Sequence, residues 1–354
     1  MLRKLLAPFF AMGIVTTALA QDSTSAPALS ITGSADLYYK YDFGESSSNN
    51  YTSFTSSHNR FQLGMASIKF EHKTAKVDAV ADLGFGKRAQ EFSYNDEGIL
   101  QAVKQLYVSY SPNSVVKFTA GTWATHVGYE LVDPQLNRNY SMSYMFTNGP
   151  FFHTGLKADL TLGKSGLMVG IANPTDFKYV PEGVINKKFV LAQYSYTGSD
   201  LFKAYLNYVG GKNIDTSKTN QIDLVLTSKL ADNFSLGYNG TVNIIQHWDG
   251  EKNVSGKSWW GSALYLNFDP TSTFGLTLRS EYFSDKHHLK IPTSSLEGCK
   301  IFANTLSANF KIDNHLIIIP EFRIDHSSQE IFTKKDGGPT QTAANVLVAA
   351  VYQF

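Results

Sequence analysis

Residues 313–326 read DNHLIIIPEFRIDH, and the alternation inside them decides the class of fold. Leu316, Ile318, Phe322 and Ile324 take turns with Ile317, Glu321, Arg323 and Asp325. Successive side chains of an extended chain point to opposite faces, so this segment carries one apolar face and one largely polar face. The pattern recurs upstream. Phe274, Leu276, Leu278 and Tyr282 oppose Gly275, Thr277, Arg279 and Glu281; Val77, Ala79, Ala81, Leu83 and Phe85 oppose Asp78, Val80, Asp82 and Gly84. Soluble sandwiches share such alternation, so the connections between strands must make the choice.

Working outward from the turn at 313–314, sixteen candidate strands fall near 31–43, 60–71, 76–86, 101–111, 115–124, 152–162, 166–173, 188–197, 201–210, 220–230, 233–246, 258–268, 273–284, 300–312, 315–326 and 341–354. Seven short turns (72–75, 112–114, 163–165, 198–200, 231–232, 269–272 and 313–314) alternate with eight long loops, among them 44–59, 87–100, 125–151, 285–299 and 327–340. A membrane barrel makes this pattern, with short periplasmic turns and long extracellular loops. The strands are also near the ~9–11 residues that cross a bilayer at a tilt. The expected fold is all-β: a transmembrane up-and-down antiparallel β-barrel of sixteen strands, filling residues 21–354.

Both ends of the chain agree with export to an outer membrane. Val346, Val348, Ala350, Tyr352 and Phe354 form an apolar row that stops on an aromatic residue. An unpaired hydrophobic edge is an aggregation hazard, so this strand is expected to pair with the first one near Asp36–Tyr41. At the other end, Arg3 and Lys4 precede an apolar run from Leu5 to Thr17 and then Ala18-Leu19-Ala20. That order is the pattern of a cleaved signal peptide over residues 1–20.

Composition narrows the function classes. The chain holds 31 Lys+Arg and 30 Asp+Glu, and without Arg3 and Lys4 the balance becomes 29 against 30. There is no basic surplus for nucleic acid. Cys299 is the one cysteine, so no internal disulfide forms. Aromatic residues reach 13%, with 24 Phe and 19 Tyr beside 27 Gly, which suits interfacial girdles and tightly coiled strands. The girdle candidates are Tyr38, Tyr39, Tyr41, Trp123, Tyr194, Tyr196, Trp259, Trp260, Tyr282 and Phe283.

Residues 121–160 read GTWATHVGYELVDPQLNRNYSMSYMFTNGPFFHTGLKADL. Gly121, Gly128-Tyr129-Glu130, Asn139-Tyr140-Ser141, Pro150 and His153-Thr154-Gly155 in this stretch resemble the putative β-barrel porin-2 (OmpL-like) family. Met142 and Tyr144 stand where the family pattern carries a basic or simpler residue. The resemblance implies passive transport of small solutes. It also implies that the terminal strand ending in Phe354 is read by the outer-membrane assembly machinery.

A sixteen-strand barrel is wide enough for an aqueous lumen, whereas eight strands are filled by their own side chains. About ten residues separate Gln21 from the first strand, too few for a plug domain. The pore-lining candidates are Lys117, Lys157, Asp159, Arg279, Glu281, Glu321, Arg323 and Asp325. Both signs appear on single strands, an arrangement that orients dipolar solutes. The third long loop, 125–151, is the constriction candidate, through Tyr129, Glu130, Asp133, Arg138, Tyr140 and Tyr144. No catalytic residue, cofactor or metal site is expected, since no HExxH, GxSxG or phosphate-cradling loop occurs. The expected function is an outer-membrane porin in contact with lipid and small hydrophilic solutes, with a homo-trimer as one assembly open to it. Two alternatives stay open: a non-conducting adhesive barrel acting through the Ser/Asn/Thr-rich loop 45–59, and a hydrolase with its site at the rim.

Overall fold

A computed structural model describes residues 28–183, 187–199, 201–293 and 297–354. The segment read as a signal peptide, 1–20, and Asp200 of the fourth short turn lie outside the described residues.

Sixteen antiparallel strands close into a barrel. They are β1 (Ala28–Asp42), β2 (Arg60–Lys73), β3 (Val77–Phe85), β4 (Val103–Tyr110), β5 (Val116–Ala124), β6 (Phe152–Leu162), β7 (Ser165–Ala172) and β8 (Phe189–Ser199), then β9 (Phe202–Lys212), β10 (Lys218–Ala231), β11 (Phe234–Gln246), β12 (Lys257–Thr271), β13 (Phe274–Asp285), β14 (Cys299–Ile312), β15 (Leu316–Ser327) and β16 (Thr342–Gln353). Each strand pairs with its sequence neighbours, and β1 pairs with β16 to close the ring. The closing register sets Asp36 opposite Val351 and Tyr41 opposite Val346. Phe354 and Gly33 extend it by exchanging two backbone hydrogen bonds of 3.0 Å. Full closure leaves none of these sixteen strands with an open edge.

The apolar rows face outward. Val346, Val348, Tyr352 and Phe354 are exposed, as are Phe322 and Ile324, while Leu347, Ala349 and Val351 are buried inside. The period of two divides the aromatic candidates in the same way. Tyr194, Tyr196 and Trp260 lie on the outer surface, but Tyr38, Trp123, Trp259 and Phe283 point inward and are buried. Adjacent aromatics such as Trp259 and Trp260 cannot both reach the lipid, because neighbours on a strand take opposite faces.

Three loops fold rather than arch freely. The second long loop contains a helix, α1 (Lys87–Phe92), and the third contains α2 (Tyr144–Asn148). A two-stranded hairpin, Phe332–Thr333 with Pro339–Thr340, lies in the last long loop. The first loop packs against both neighbours: Phe54 is buried among Phe92, Phe146 and Phe151, and Ser53 donates its N–H to Thr147 at 2.9 Å.

Candidate functional site

The third long loop leaves the wall between two root strands that pack closely on their neighbours. Gly121 on β5 sits opposite Gly155 on β6. A Cβ on Gly121 would meet Leu106 O at 2.2 Å, and one on Gly155 would meet Ile171 O at 2.1 Å. Gly121 also adopts φ +133, a backbone that favours glycine. These glycines let the strands coil tightly where the chain leaves the wall.

The loop then crosses the lumen by contacts to facing strands. His126 donates to Tyr208 O on β9 at 3.1 Å, and the Gly128 N–H reaches Asp223 on β10 at 3.0 Å. Tyr129 stacks on Tyr265 of β12 with ring centroids 4.1 Å apart. Asp133 pairs with Lys104 on β4, which also holds Asp82 at 3.1 Å. Arg138 grips Asp269 on β12 with both terminal nitrogens, at 3.0 and 2.7 Å. Strands β4 and β12 are eight apart in a ring of sixteen, so these two pairs fasten residues 133 and 138 to opposite sides of the wall, with Gln135 and Leu136 lying near Gln353 and Phe354 between them.

From there the chain is clamped along β13–β15 and β1. Glu130 pairs with Arg279 at 2.5 Å, and the same guanidinium donates to Ser141 O at 2.6 Å. Glu321 accepts the Tyr140 N–H at 3.0 Å and the Ser307 hydroxyl at 2.8 Å. The Tyr140 hydroxyl donates to Asp36, and that of Tyr144 donates to Asp325 at 2.8 Å. Burial pushes both phenols well above their ordinary value, so each stays protonated and donates. Glu281 accepts the N–H groups of Tyr144 and Met145, the first two residues of α2, at 2.8 and 2.9 Å. Arg323 holds Asp325 at 2.8 Å and Met142 O at 2.8 Å. Met142 and Tyr144, the two departures from the family pattern, are completely buried in this packing.

The pore-lining candidates therefore separate into two groups. Arg279, Glu281, Glu321, Arg323 and Asp325 project inward but lie under the loop, none more than 6% exposed. Lys117, Lys157 and Asp159 remain partly open; Lys117 pairs with Asp78 at 2.8 Å and Lys157 with Asp159 at 3.1 Å. All six loop candidates contact the wall or the packed interior.

Two basic residues absent from the candidates prove central. Arg88 of α1 is completely buried, donating to Val132 O and Tyr140 O at 3.1 and 3.3 Å. Its guanidinium lies over the rings of Phe54 and Tyr140. Lys104 is only 2% exposed. A register shift between β3 and β4 puts it off the regular alternation, which hides its inward direction. Its adjacency to Gln105, two polar residues in a row on a strand, is the signal the sequence does carry.

On the opposite arc, the inner wall of β8–β11 carries amides and hydroxyls around the buried Asp223. Gln193 donates to Asn207 at 2.8 Å, Asn207 to Asp223 at 2.8 Å and Asn239 to Asp223 at 2.6 Å. Further along, Gln221 donates to Thr241 at 3.0 Å and Thr219 to Asn243 at 2.7 Å. A cavity of about 280 Å³ opens between this wall and His126, Gly128 and Tyr129 of the loop. A second, of about 160 Å³, lies near Thr219, Gln221 and Asn243 beside Gly149. Among the described residues, no group of three His, Cys, Asp or Glu side chains could hold a metal ion.

Solved outer-membrane channels share this architecture at low identity. In vitro folded OmpT of Vibrio cholerae, in a trimer form, matches with a TM-score of 0.63 and 10% identity, covering 93% of this chain and 100% of that one. An anion-selective porin from Comamonas acidovorans matches at 0.62 and 11%, covering 93% and 100%. The channel DcaP of Acinetobacter baumannii matches at 0.62 and 11%, covering 95% and 100%. No curated protein matches the sequence. The family described as "Putative beta-barrel porin-2, OmpL-like" matches residues 28–354, every strand and the whole clamped loop included, and this chain belongs to that family of outer-membrane porins.

Proposed function

We propose that the chain passes small hydrophilic solutes by passive diffusion through a lumen that residues 125–151 narrow. The observation that carries this reading is the loop itself, fastened to walls eight strands apart by Lys104–Asp133 and Arg138–Asp269. A loop bonded across a barrel leaves space only beside it, and pore width with its lining groups then sets what passes. The partly open pairs Lys117–Asp78 and Lys157–Asp159 would line that space, whereas Arg279, Glu281, Glu321, Arg323 and Asp325 would act as anchors of the loop.

The adhesive alternative draws little support, because Phe54 and Thr55 of the first loop are buried rather than displayed. Family and fold favour a channel over a rim enzyme. The reading includes export through a signal peptide at residues 1–20, insertion by the assembly machinery through the strand ending at Phe354, contact with outer-membrane lipid and a homo-trimeric assembly. Purified protein in a planar bilayer should give discrete conductance steps; a folded, inserted protein that never conducts would sink the porin reading.

A further inference from the structure

We infer that the solutes this porin passes most readily are uncharged and polyhydroxylated, sugars or polyols, taken along the β8–β11 arc. The inference rests on the porin reading above and names its substrate class. The cavity on this arc is lined by Gln193, Tyr205, Asn207 and Thr227 from the wall and by Tyr129 from the loop. None of these side chains is charged. The nearest carboxylate, Asp223, is 1% exposed and already accepts from Gly128, Asn207 and Asn239. A passing ion therefore finds no counter-charge in the cavity's own lining, and the charges beside His126 (Lys157 and Asp159) are already paired with each other.

A sugar meets different terms. Its hydroxyls both donate and accept, as do the amides of Gln193 and Asn207 and the hydroxyl of Thr227. Exchanging water for such partners is close to neutral in energy. The apolar face of a pyranose ring needs a flat surface, and Tyr129 supplies one. Its ring is half-buried, backed by Tyr265 at 4.1 Å, and lies so close to Gly237 that a Cβ there would meet the ring at 2.6 Å. Glycine at 237 leaves room for the hydroxyl edge of that ring against the wall. Beyond this cavity, Gln221, Thr241 and Asn243 continue the polar strip to the second cavity, where Asp176 and Lys290 also join the lining.

Proteoliposome swelling compares three pyranoses of similar size: glucose, anionic glucuronate and cationic glucosamine. Glucose should enter about tenfold faster than either ion, the ratio that ~1.4 kcal/mol of uncompensated charge gives. Tyr205→Ala and Gln193→Lys should slow glucose, and Gln193→Lys should also speed glucuronate. Equal rates for the three solutes, or faster entry of an ion, in wild-type liposomes that do conduct would overturn the inference. So would wild-type glucose rates in both variants. Liposomes that neither conduct nor swell with any solute would instead overturn the porin reading beneath it.

Discussion

From β12 round to β1 the inner wall presents many charged groups to the loop, and from β8 to β11 it presents amides and hydroxyls around the buried carboxylate of Asp223, which accepts the Gly128 N–H. Arg279 and Glu130 are 1% and 4% exposed at 2.5 Å, and Glu281 caps the first turn of α2. In contrast, Gln193 bonds Asn207, which passes on to the buried Asp223, and Gln221 bonds Thr241 and Asn243 with neutral partners. Desolvated charges are costly to separate, so they hold a segment in one place. Neutral amides change partners at small cost, so they suit a surface along which solutes move. The charged anchors of residues 130–145 therefore crowd one arc, and the solute path proposed for this barrel runs along the other.

Cutting the strongest anchor should collapse the distinction between arcs. Arg279→Ala leaves Glu130 buried beside Tyr265 with no cation, at a cost of about 3–5 kcal/mol. The thermal unfolding midpoint should fall well below wild type, and single-channel conductance should rise as the loop leaves the wall. Wild-type values for both would break the account of this arc. A milder cut is Tyr144→Phe, which keeps the stack on Phe283 and removes the bond to Asp325. It should cost about 1–2 kcal/mol in denaturant unfolding because Asp325 loses a buried donor.

Acid should act at the loop's base on the neutral arc. Burial pulls His126 down to about 4 from 6.5, and nearby Lys157 adds to this. The unfolded chain takes up the proton near the ordinary value, while the folded one stays neutral until about pH 4. The stability His126 contributes is thus full above about pH 6.5 and is lost as pH falls toward 4. Unfolding midpoints measured from pH 7 to 4 should decline, and His126→Gln should flatten part of that slope. The smallest effect belongs to Lys117→Ala. Lys117 is 40% exposed, and breaking such a pair should cost under ~1 kcal/mol in unfolding.

Much of the fold is legible in the amino-acid order. Sixteen strands, alternating connections and closure of Asp36–Tyr41 on Val346–Phe354 all follow from period two and turn spacing. The helix at Lys87–Phe92 is not legible, because its six residues are too few to set up a periodic stripe. Residues facing the lumen can be named from parity, but their cover cannot. Glu321 and Arg323 read the same whether water or a loop lies against them; only the three-dimensional path of residues 138–145 decides it. The neutral arc escapes a linear reading for a simpler reason. Asn207, Gln221 and Asn243 are ordinary polar residues one by one, and become a surface only when β9, β10 and β11 lie side by side.

Thiol modification of open channels tests the division of labour most directly. In a Cys299→Ser background, Thr227→Cys places a thiol in the cavity of the neutral arc, and Ser307→Cys places one under the clamped loop, where Ser307 is fully buried. A charged methanethiosulfonate reagent should cut the current through Thr227→Cys channels and leave Ser307→Cys channels unchanged. Loss of current in Ser307→Cys channels with none in Thr227→Cys channels would contradict the account.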